Sequence, residues 1–395
     1  MELPTAQFLV SLRGESAVSE ATVLLENKAD IVSALTRLRK IYEPAEARAA
    51  WIAAQIRSRA ATKLGTDAQL LIFDQDGYEM ASGISTAEYH ADLLVRSGAK
   101  SVLDLCTGVG LDTITFARRG LSGTSYESDP GRALLLKTNV ERARLEALVK
   151  VVNIDVTMAD LPIADAAYFD PARRSDVRKW APDDQTTPSL SFVEHLRSMG
   201  ISRILAKLSP AIDRSLARVL HADLEFLSVK GECKEALLLM GDLHRGAETT
   251  AVLLPKNDRY SGTPLEFDSV VVGEYLWEPD PAVIRAGLTQ SLAIALGGGQ
   301  CDPRVDYFFT NTPGDSPFAQ CYRVLDKIPY SRRRLESVLA GVGKVILKQR
   351  AFPQSIEEIA SRLKLSGQGT AIVVLTVLNG EKLAFLVERV RPMGS

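Results

Sequence analysis

Val102-Leu-Asp-Leu-Cys-Thr-Gly-Val-Gly-Leu-Asp112 is the stretch that decides how this chain folds. An apolar run ending near Asp104 enters a tight turn built on Gly108 and Gly110, and Asp112-Thr-Ile-Thr-Phe-Ala-Arg118 continues with helical character. Glycine has no Cβ, so backbone at such a turn can lie close to a ligand. A Gly-x-Gly turn alone is a weak signal, and the strands downstream of it give it weight. Gly123-Thr-Ser-Tyr-Glu127 is a β-prone run whose carboxylate comes 23 residues after Asp104. Nucleotide-binding α/β units place an acid about 20 residues on, where it accepts hydrogen bonds from ribose hydroxyls. Val149 to Asp155 reads as a third strand and Ala166 to Asp170 as a fourth, each ending in a carboxylate. Parallel strands in this order bring those acids to one sheet edge, where open α/β sheets bind ligands. Singly, Asp155 is as well read as a helix cap and Glu127 as a surface residue; their convergence is what points to a site.

Neither the dinucleotide pattern nor the nucleoside-triphosphate pattern is matched. The third glycine of Gly-x-Gly-x-x-Gly is replaced by Thr113, and no Walker loop is present. The pattern resembles motif I of the class I S-adenosylmethionine-dependent methyltransferases, over roughly residues 70 to 255. The resemblance implies a Rossmann-like sheet, mostly parallel with one antiparallel closing strand, and S-adenosylmethionine as cofactor. It further implies that Asp104 and the turn of Cys106, Gly108, Gly110 and Asp112 hold the methionine part. Glu127 and Ser128 would then hold the ribose, and Asp155 and Val156 the adenine edge. Ahead of motif I, a helix is expected to start at a Ser85 N-cap with Glu88 three residues on. Such helices shape the methionine pocket in this family, which makes Thr86 and Tyr89 further cofactor contacts.

Asp170-Pro171-Ala172-Arg173 stands where methyltransferases of amino groups carry Asp/Asn-Pro-Pro-Tyr/Phe/Trp. A carboxylate and a backbone carbonyl that accept the two N–H bonds of a conjugated amine turn its lone pair toward the methyl donor. Asp170 and Pro171 are therefore the candidate catalytic residues. Ala172 replaces the second proline and Arg173 the aromatic, and this departure also leaves room for a ring nitrogen as the methylated atom, with Asp170 as proton acceptor. Arg173 and Arg174 are placed to stack on a base or grip phosphate, or else to pair with nearby carboxylates such as Asp176. Lys207 interrupts the apolar fifth strand Ile204-Leu-Ala-Lys-Leu-Ser-Pro210 and reads as a phosphate contact, a partner of Asp170, or a lysine snorkelling at the sheet edge. Leu224 to Val229 and Glu235 to Met240 match the antiparallel pair that closes such a sheet, and Thr249 to Leu254 adds a strand.

At 395 residues, 46% hydrophobic and 24% charged with a net charge of −2, the chain has room for two or three domains of ordinary globular composition. No apolar run approaches a membrane span, and the N-terminus lacks a secretory pattern, so the cytoplasm is the expected compartment. Cys106, Cys233, Cys301 and Cys321 are scattered without a C-x-x-C pair, and His90, His195, His221 and His244 are dispersed too. No metal site or disulfide framework is expected, and no Gly-x-Ser-x-Gly elbow marks a hydrolase.

Residues 1–65 carry apolar residues at helical spacing in Ser19 to Glu26, Ile31 to Ile41 and Pro44 to Lys63, and form an N-terminal helical cap. Residues 66–255 form the methyltransferase domain and 256–395 a separate α/β domain. In the last part, a strand, a turn with Pro279 and Pro281 and a helix are succeeded by helices at Arg332 to Leu339 and Ser355 to Leu363. A strand lies at Lys344 to Lys348, and Asn379-Gly380 turns a terminal hairpin. Eleven Lys/Arg stand against five Asp/Glu over 331–395, which suggests a phosphate-backbone grip or simply a solvated helix face. Trp277-Glu-Pro-Asp-Pro281, Ser316-Pro-Phe318 and the basic strand with its hairpin resemble a THUMP-like domain, a type found behind bacterial methyltransferases with an Asp-Pro-Ala-Arg tetrapeptide. THUMP domains proper bind structured RNA. Such relatives resemble trimethylguanosine synthase distantly, whose stacking tryptophan is missing here.

The expectation is an N-methyltransferase acting on a nucleobase of structured RNA, tRNA or rRNA. Methylation of a protein or small molecule, and a non-catalytic cofactor-binding RNA-binding protein, are the competing expectations.

Overall fold

The structure is a computed structural model that describes residues 1–65, 67–173, 186–266 and 272–390. The described residues divide into two compact units. One comprises Met1–Leu208, Leu216–Ala222 and Leu237–Arg245, the other Ser209–Ser215, Asp223–Ala236 and Gly246–Ser395.

The first unit opens with helices α1 (Leu3–Val10), α2 (Leu12–Glu26), α3 (Ile31–Leu38) and α4 (Pro44–Leu64). Local chemistry sets their starts. Ser11 Oγ accepts from Gly14 N, Asp30 accepts from Val32 N and Ser33 N, and Glu43 forms a capping box with Glu46. Small buried residues let these helices approach closely: Ala47, Ala50 and Ala54 of α4 are wholly buried beside Trp51 and Ile56. Short helices α5 (Asp67–Leu70) and α6 (Gln75–Met80) lead to α7 (Ile84–Arg96). Helix α7 has Gly83 as its N-cap, not the expected Ser85, and the Thr86 hydroxyl donates to the Gly83 carbonyl at 2.9 Å.

The sheet comes next: β1 (Ser101–Leu105), α8 (Leu111–Arg118), β2 (Ser122–Glu127), α9 (Pro130–Arg142), β3 (Val149–Asn153) and β4 (Ala166–Phe169). A two-stranded antiparallel piece, β5 (Ala172–Arg173) with β6 (Thr186–Thr187), precedes α10 (Phe192–Ser198) and β7 (Arg203–Leu208). Strands β3, β2, β1, β4 and β7 lie in that order and all pair in parallel. Next to β7 comes β9 (Glu232–Gly241), whose second half belongs to this unit. Strands buried on both faces read as apolar runs, as the wholly buried Ala166-Ala-Tyr-Phe169 does.

Helix α11 (Ser215–Val219) belongs to the first unit from Leu216 on; in the second unit β8 (Ala222–Val229) joins β9 through Lys230 and Gly231. Strand β10 (Thr249–Leu254) runs parallel to β8, and β11 (Asp258–Gly262) pairs antiparallel with β10, one strand beyond the last one expected and a further antiparallel strand besides the single closing strand expected. A second sheet contains β12 (Tyr275–Pro279), β13 (Gly299–Gln300), β14 (Phe308–Thr310), β15 (Ala319–Pro329), β16 (Gly341–Arg350), β17 (Gly367–Leu378) and β18 (Glu381–Arg389). Its order is β13-β14-β12-β15-β18-β17-β16. Helices α12 (Pro281–Ala286) and α13 (Thr289–Ala295) come after β12, α14 (Arg332–Val338) after β15, and α15 (Ile356–Arg362) provides the crossover that the parallel pair β16 and β17 requires. Trp277 anchors this sheet, stacked on Phe308 with ring centroids 5.6 Å apart and donating Nε1–H to Thr310 Oγ1 at 2.9 Å. Among the described residues no helix is long and apolar enough to cross a membrane, and no cluster of three His, Cys, Asp or Glu is placed to hold a metal ion.

Candidate cofactor and acceptor site

Parallel register sets the site. Leu105 lies opposite Tyr126 on one side and Phe169 on the other, while Phe169 lies opposite Ala206 and Glu127 opposite Asn153. Asp104, Glu127, Asp155, Asp170 and Lys207 therefore all fall at or near the C-terminal ends of neighbouring strands.

The glycine turn is a left-handed stretch. Cys106, Gly108 and Gly110 have φ of 64°, 63° and 94°. At Gly108 a Cβ would point into open space, with nothing within 4 Å, whereas at Gly110 it would meet Leu136 Cδ1 at 2.3 Å. The first glycine leaves a cradle, and the second lets α8 pack on α9. Cys106 adopts this conformation with a side chain, which costs energy, and burial pushes its thiol pKa up. Thr107 fixes the turn by donating N–H to Tyr126 O at 3.0 Å and its hydroxyl to Asp104 O at 3.0 Å. Glu127 completes it: Oε2 accepts from Gly108 N and Oε1 from Asp129 N, both at 2.8 Å. Burial raises the Glu127 pKa, and those two backbone bonds, from Asp129 and Gly108, oppose the rise.

Asp104 is 2% exposed. Its Oδ2 accepts from the Thr113 hydroxyl, which also meets Ser125 Oγ at 2.9 Å. Its Oδ1 is buried with no hydrogen-bond partner among the described residues. An orphaned carboxylate oxygen in a low-dielectric site is costly unless a cation or donor arrives. Burial, augmented by the charges of Asp112 and Asp170 and opposed by the Thr113 hydroxyl, raises its pKa from 3.8 to about 8. Because the folded state holds this proton more tightly than the unfolded chain, Asp104 favours folding fully below pH 3.8, and that contribution is lost as pH rises through about 8. A cationic group seated at Oδ1 reverses the preference and expels the proton. Calorimetry with S-adenosylhomocysteine in buffers of different ionisation enthalpy is expected to show proton release approaching one per site at pH 7, and none for Asp104→Asn; equal release from both removes Asp104 from the site.

Other candidates are placed less directly. Asp155 caps a 3-10 turn (Val156–Met158) by accepting from Thr157 N at 2.9 Å and from its hydroxyl at 2.7 Å, and Val156 is buried beside it. Ser128 is exposed, and its carbonyl accepts from Asn153 Nδ2 at 3.1 Å. Asp112 is committed inward: Oδ2 accepts from Ser82 Oγ at 2.8 Å and Oδ1 meets His90 Nδ1 at 2.9 Å. Thr86 and Tyr89 are buried on α7.

At the acceptor side, Asp170 N donates to Leu105 O at 3.2 Å, Pro171 is buried, and Asp170 Oδ2 accepts from Lys207 Nζ at 2.7 Å. Of the three readings open for Lys207, the structure shows the partner of Asp170. Arg173 lies in β5, its side chain outside the described part, and Arg174 lies outside the described residues.

Sequence reasoning missed Ser82, His90 and Asn139. Asn139 is wholly buried on α9, accepts from Ile72 N at 2.8 Å and donates to Ile72 O at 3.0 Å and Val109 O at 2.9 Å. It ties the glycine turn to the segment before α6. A single asparagine on an apolar helix face has no spacing that would reveal this. Asn139→Leu leaves three buried backbone groups bare and is expected to cost about 3 kcal/mol, read as a lower denaturant midpoint; an unchanged midpoint contradicts the assignment.

Residues 319–389 match the THUMP domain-like family. Over 357 residues, 85% of this chain and 95% of the relative, the sequence is 25% identical to a Mycobacterium tuberculosis protein described as an uncharacterized S-adenosylmethionine-dependent methyltransferase. The same match is found in strains CDC 1551 and H37Rv. A crystal structure of a candidate methyltransferase from Porphyromonas gingivalis W83 superposes with a TM-score of 0.75 at 22% identity, covering 95% of this chain and 99% of that one. The fold is Rossmann-like, of the methyltransferase type.

Proposed function

We propose, from the premise that this chain is an S-adenosylmethionine-dependent methyltransferase of Rossmann-like fold ending in a THUMP-like domain, that it methylates a nucleobase nitrogen of structured RNA, tRNA or rRNA. The observation that carries the reading is Asp170, held at a sheet edge by Lys207 and followed by a buried proline, two strands from the Glu127 turn.

The residues present fit the cofactor. Asp104 offers an unsatisfied buried oxygen for a cationic amine, Gly108 leaves room beside backbone, and Glu127 brings a carboxylate to the end of β2 for ribose hydroxyls. Asp155 and Val156 we assign to the adenine edge, and Cys106, Gly110, Asp112, Ser128, Thr86 and Tyr89 to the pocket around it. Bound there, S-adenosylmethionine supplies a methyl group already activated by its positive sulfur. The protein's own work is to dry, orient and deprotonate the acceptor. Asp170 accepts an N–H of the base, and the Pro171 carbonyl is assigned a second. Such positioning accounts for large rate gains.

We assign residues 1–65 as a helical cap, 66–255 as the catalytic domain and 256–395 as the domain that grips RNA. Supporting the last assignment, Arg333, Arg334, Lys344 and Lys364 are exposed. Others of the basic residues are paired: Arg332 with Glu336, Arg362 with Glu358 and Lys348 with Glu278. Arg173 and Arg174 are assigned to substrate contact. The test compares modified nucleosides, by mass spectrometry, in RNA from cells with and without this protein. One methylated nucleoside is expected to disappear and to return with the wild-type chain but not with Asp170→Ala. If none changes, the RNA reading fails.

A further inference from the structure

The acceptor carboxylate carries a cation that amine methylation does not call for, and this deepens the base-methylation reading, on which it rests. Lys207 Nζ donates to Asp170 Oδ2 at 2.7 Å and to Met80 O, at the end of α6, at 3.3 Å. The lysine side chain is 12% exposed and the aspartate 31%, so the cation sits inside and the carboxylate at the rim. Asp112 contributes a second carboxylate to the neighbourhood, with its oxygens engaged by Ser82 and His90. A lysine in the apolar strand Arg203-Ile-Leu-Ala-Lys-Leu208 carries a burial cost, and the strand places it directly beside the residue assigned to the acceptor.

Charge decides what this pair suits. An exocyclic amine gains positive charge as its bond to the methyl carbon forms, and a fixed ammonium alongside opposes that. A lactam ring nitrogen, an N–H next to a carbonyl, attacks with the pair its departing proton leaves. Negative charge then spreads over nitrogen and oxygen, and an adjacent ammonium stabilises it. The edge also matches: a carboxylate and an ammonium side by side accept from N–H and donate to C=O. A base edge with two donors, such as the amino edge of guanine, would leave the ammonium facing a donor.

We propose that the acceptor is the ring nitrogen of a lactam-type base, its N–H facing Asp170 and its carbonyl oxygen facing Lys207. The nitrogen's electron pair forms the new N–CH3 bond, the carbon–sulfur pair stays on sulfur, and the N–H proton leaves through Asp170 to solvent. Lys207 is thus a contact of the base and the residue that holds Asp170 in place.

The nucleoside comparison distinguishes this from its premise. Loss of a guanosine methylated at N1 or a uridine methylated at N3 supports it, whereas loss of methylation at guanine N7, a ring nitrogen with no proton to give, overturns it. Loss of an N-methylated exocyclic amine overturns it and leaves the base-methylation reading standing, whereas a lost 2′-O-methyl, or no lost methyl, overturns both. A second readout uses single-turnover rates on RNA from the deleted strain as a function of pH. The rate is expected to rise with pH as the lactam ionises, and Lys207→Met to move that rise upward by about one unit while lowering the rate at pH 7 about tenfold. Lys207→Arg is expected to recover most of it. A uniform loss in Lys207→Met with the pH profile unmoved reduces Lys207 to a structural pair and overturns the proposal.

Discussion

Alanine at Asp170 is expected to slow methyl transfer to RNA about a thousandfold, with S-adenosylhomocysteine affinity changed by no more than about threefold. The reason is the division of labour along the sheet edge. Asp170 lies past the end of β4, and the groups assigned to the cofactor end β1 and β2, so removing one carboxylate would take away together the acceptor alignment and the proton acceptance proposed for it. Labelled methyl transfer from S-adenosylmethionine to RNA of a strain lacking the protein measures the rate, and calorimetry measures the affinity. Alanine also strips Lys207 of a partner at 2.7 Å, so Asp170→Asn, which keeps the shape, is the companion variant. A rate within a few-fold of wild type in both would remove Asp170 from the chemistry.

The second large effect is expected at Glu127. In the structure its carboxylate holds Gly108 N and Asp129 N, both at 2.8 Å, and so shapes the turn that borders the proposed ribose position. Glu127→Ala removes two charge-assisted bonds to backbone as well as the contact assigned to the ribose, and the affinity for S-adenosylhomocysteine should fall at least about a hundredfold. Glu127→Gln accepts with one atom only and should fall between. Calorimetry decides: wild-type affinity in Glu127→Ala refutes the assignment, and a parallel melting curve separates lost binding from lost folding.

The strand–turn–helix at Val102 to Arg118 and the carboxylates of the next strands were legible because their information is local. Apolar runs of strand length end in an acid, and glycine marks where φ is positive. Helices α3 and α4 and the second half of α2 were legible for the same reason, through Pro44 and apolar spacing, whereas α1 and the start of α2 were not singled out. Strand β15, Ala319 to Pro329, is not legible in the sequence. Its alternation breaks at a register shift between Val324 and Asp326, and its last residues mix polar groups and a proline in a largely exposed stretch. Strand β11 is hidden because Asp258-Arg-Tyr-Ser-Gly262 has little apolar content, its pairing coming from β10. At the site, Lys207 carried three readings because its partner lies 37 residues away in the chain. Ser82, His90 and Asn139 carry no motif at all. Their roles arise from tertiary neighbours, and no pattern in one sequence reports those.

The bonds of Asn139 to Ile72 and of Asp112 to Ser82 and His90 bear on how this protein can be dissected. A truncation that begins at the first strand, the customary way to excise a nucleotide-binding core, would discard Ile72, Ser82 and His90. It would strand an amide and a carboxylate in the interior, one tied to the glycine turn through Val109 and the other left without Ser82 and His90. The residues upstream of the sheet are thus part of the machinery's interior wall, and any minimal version of the enzyme has to keep them.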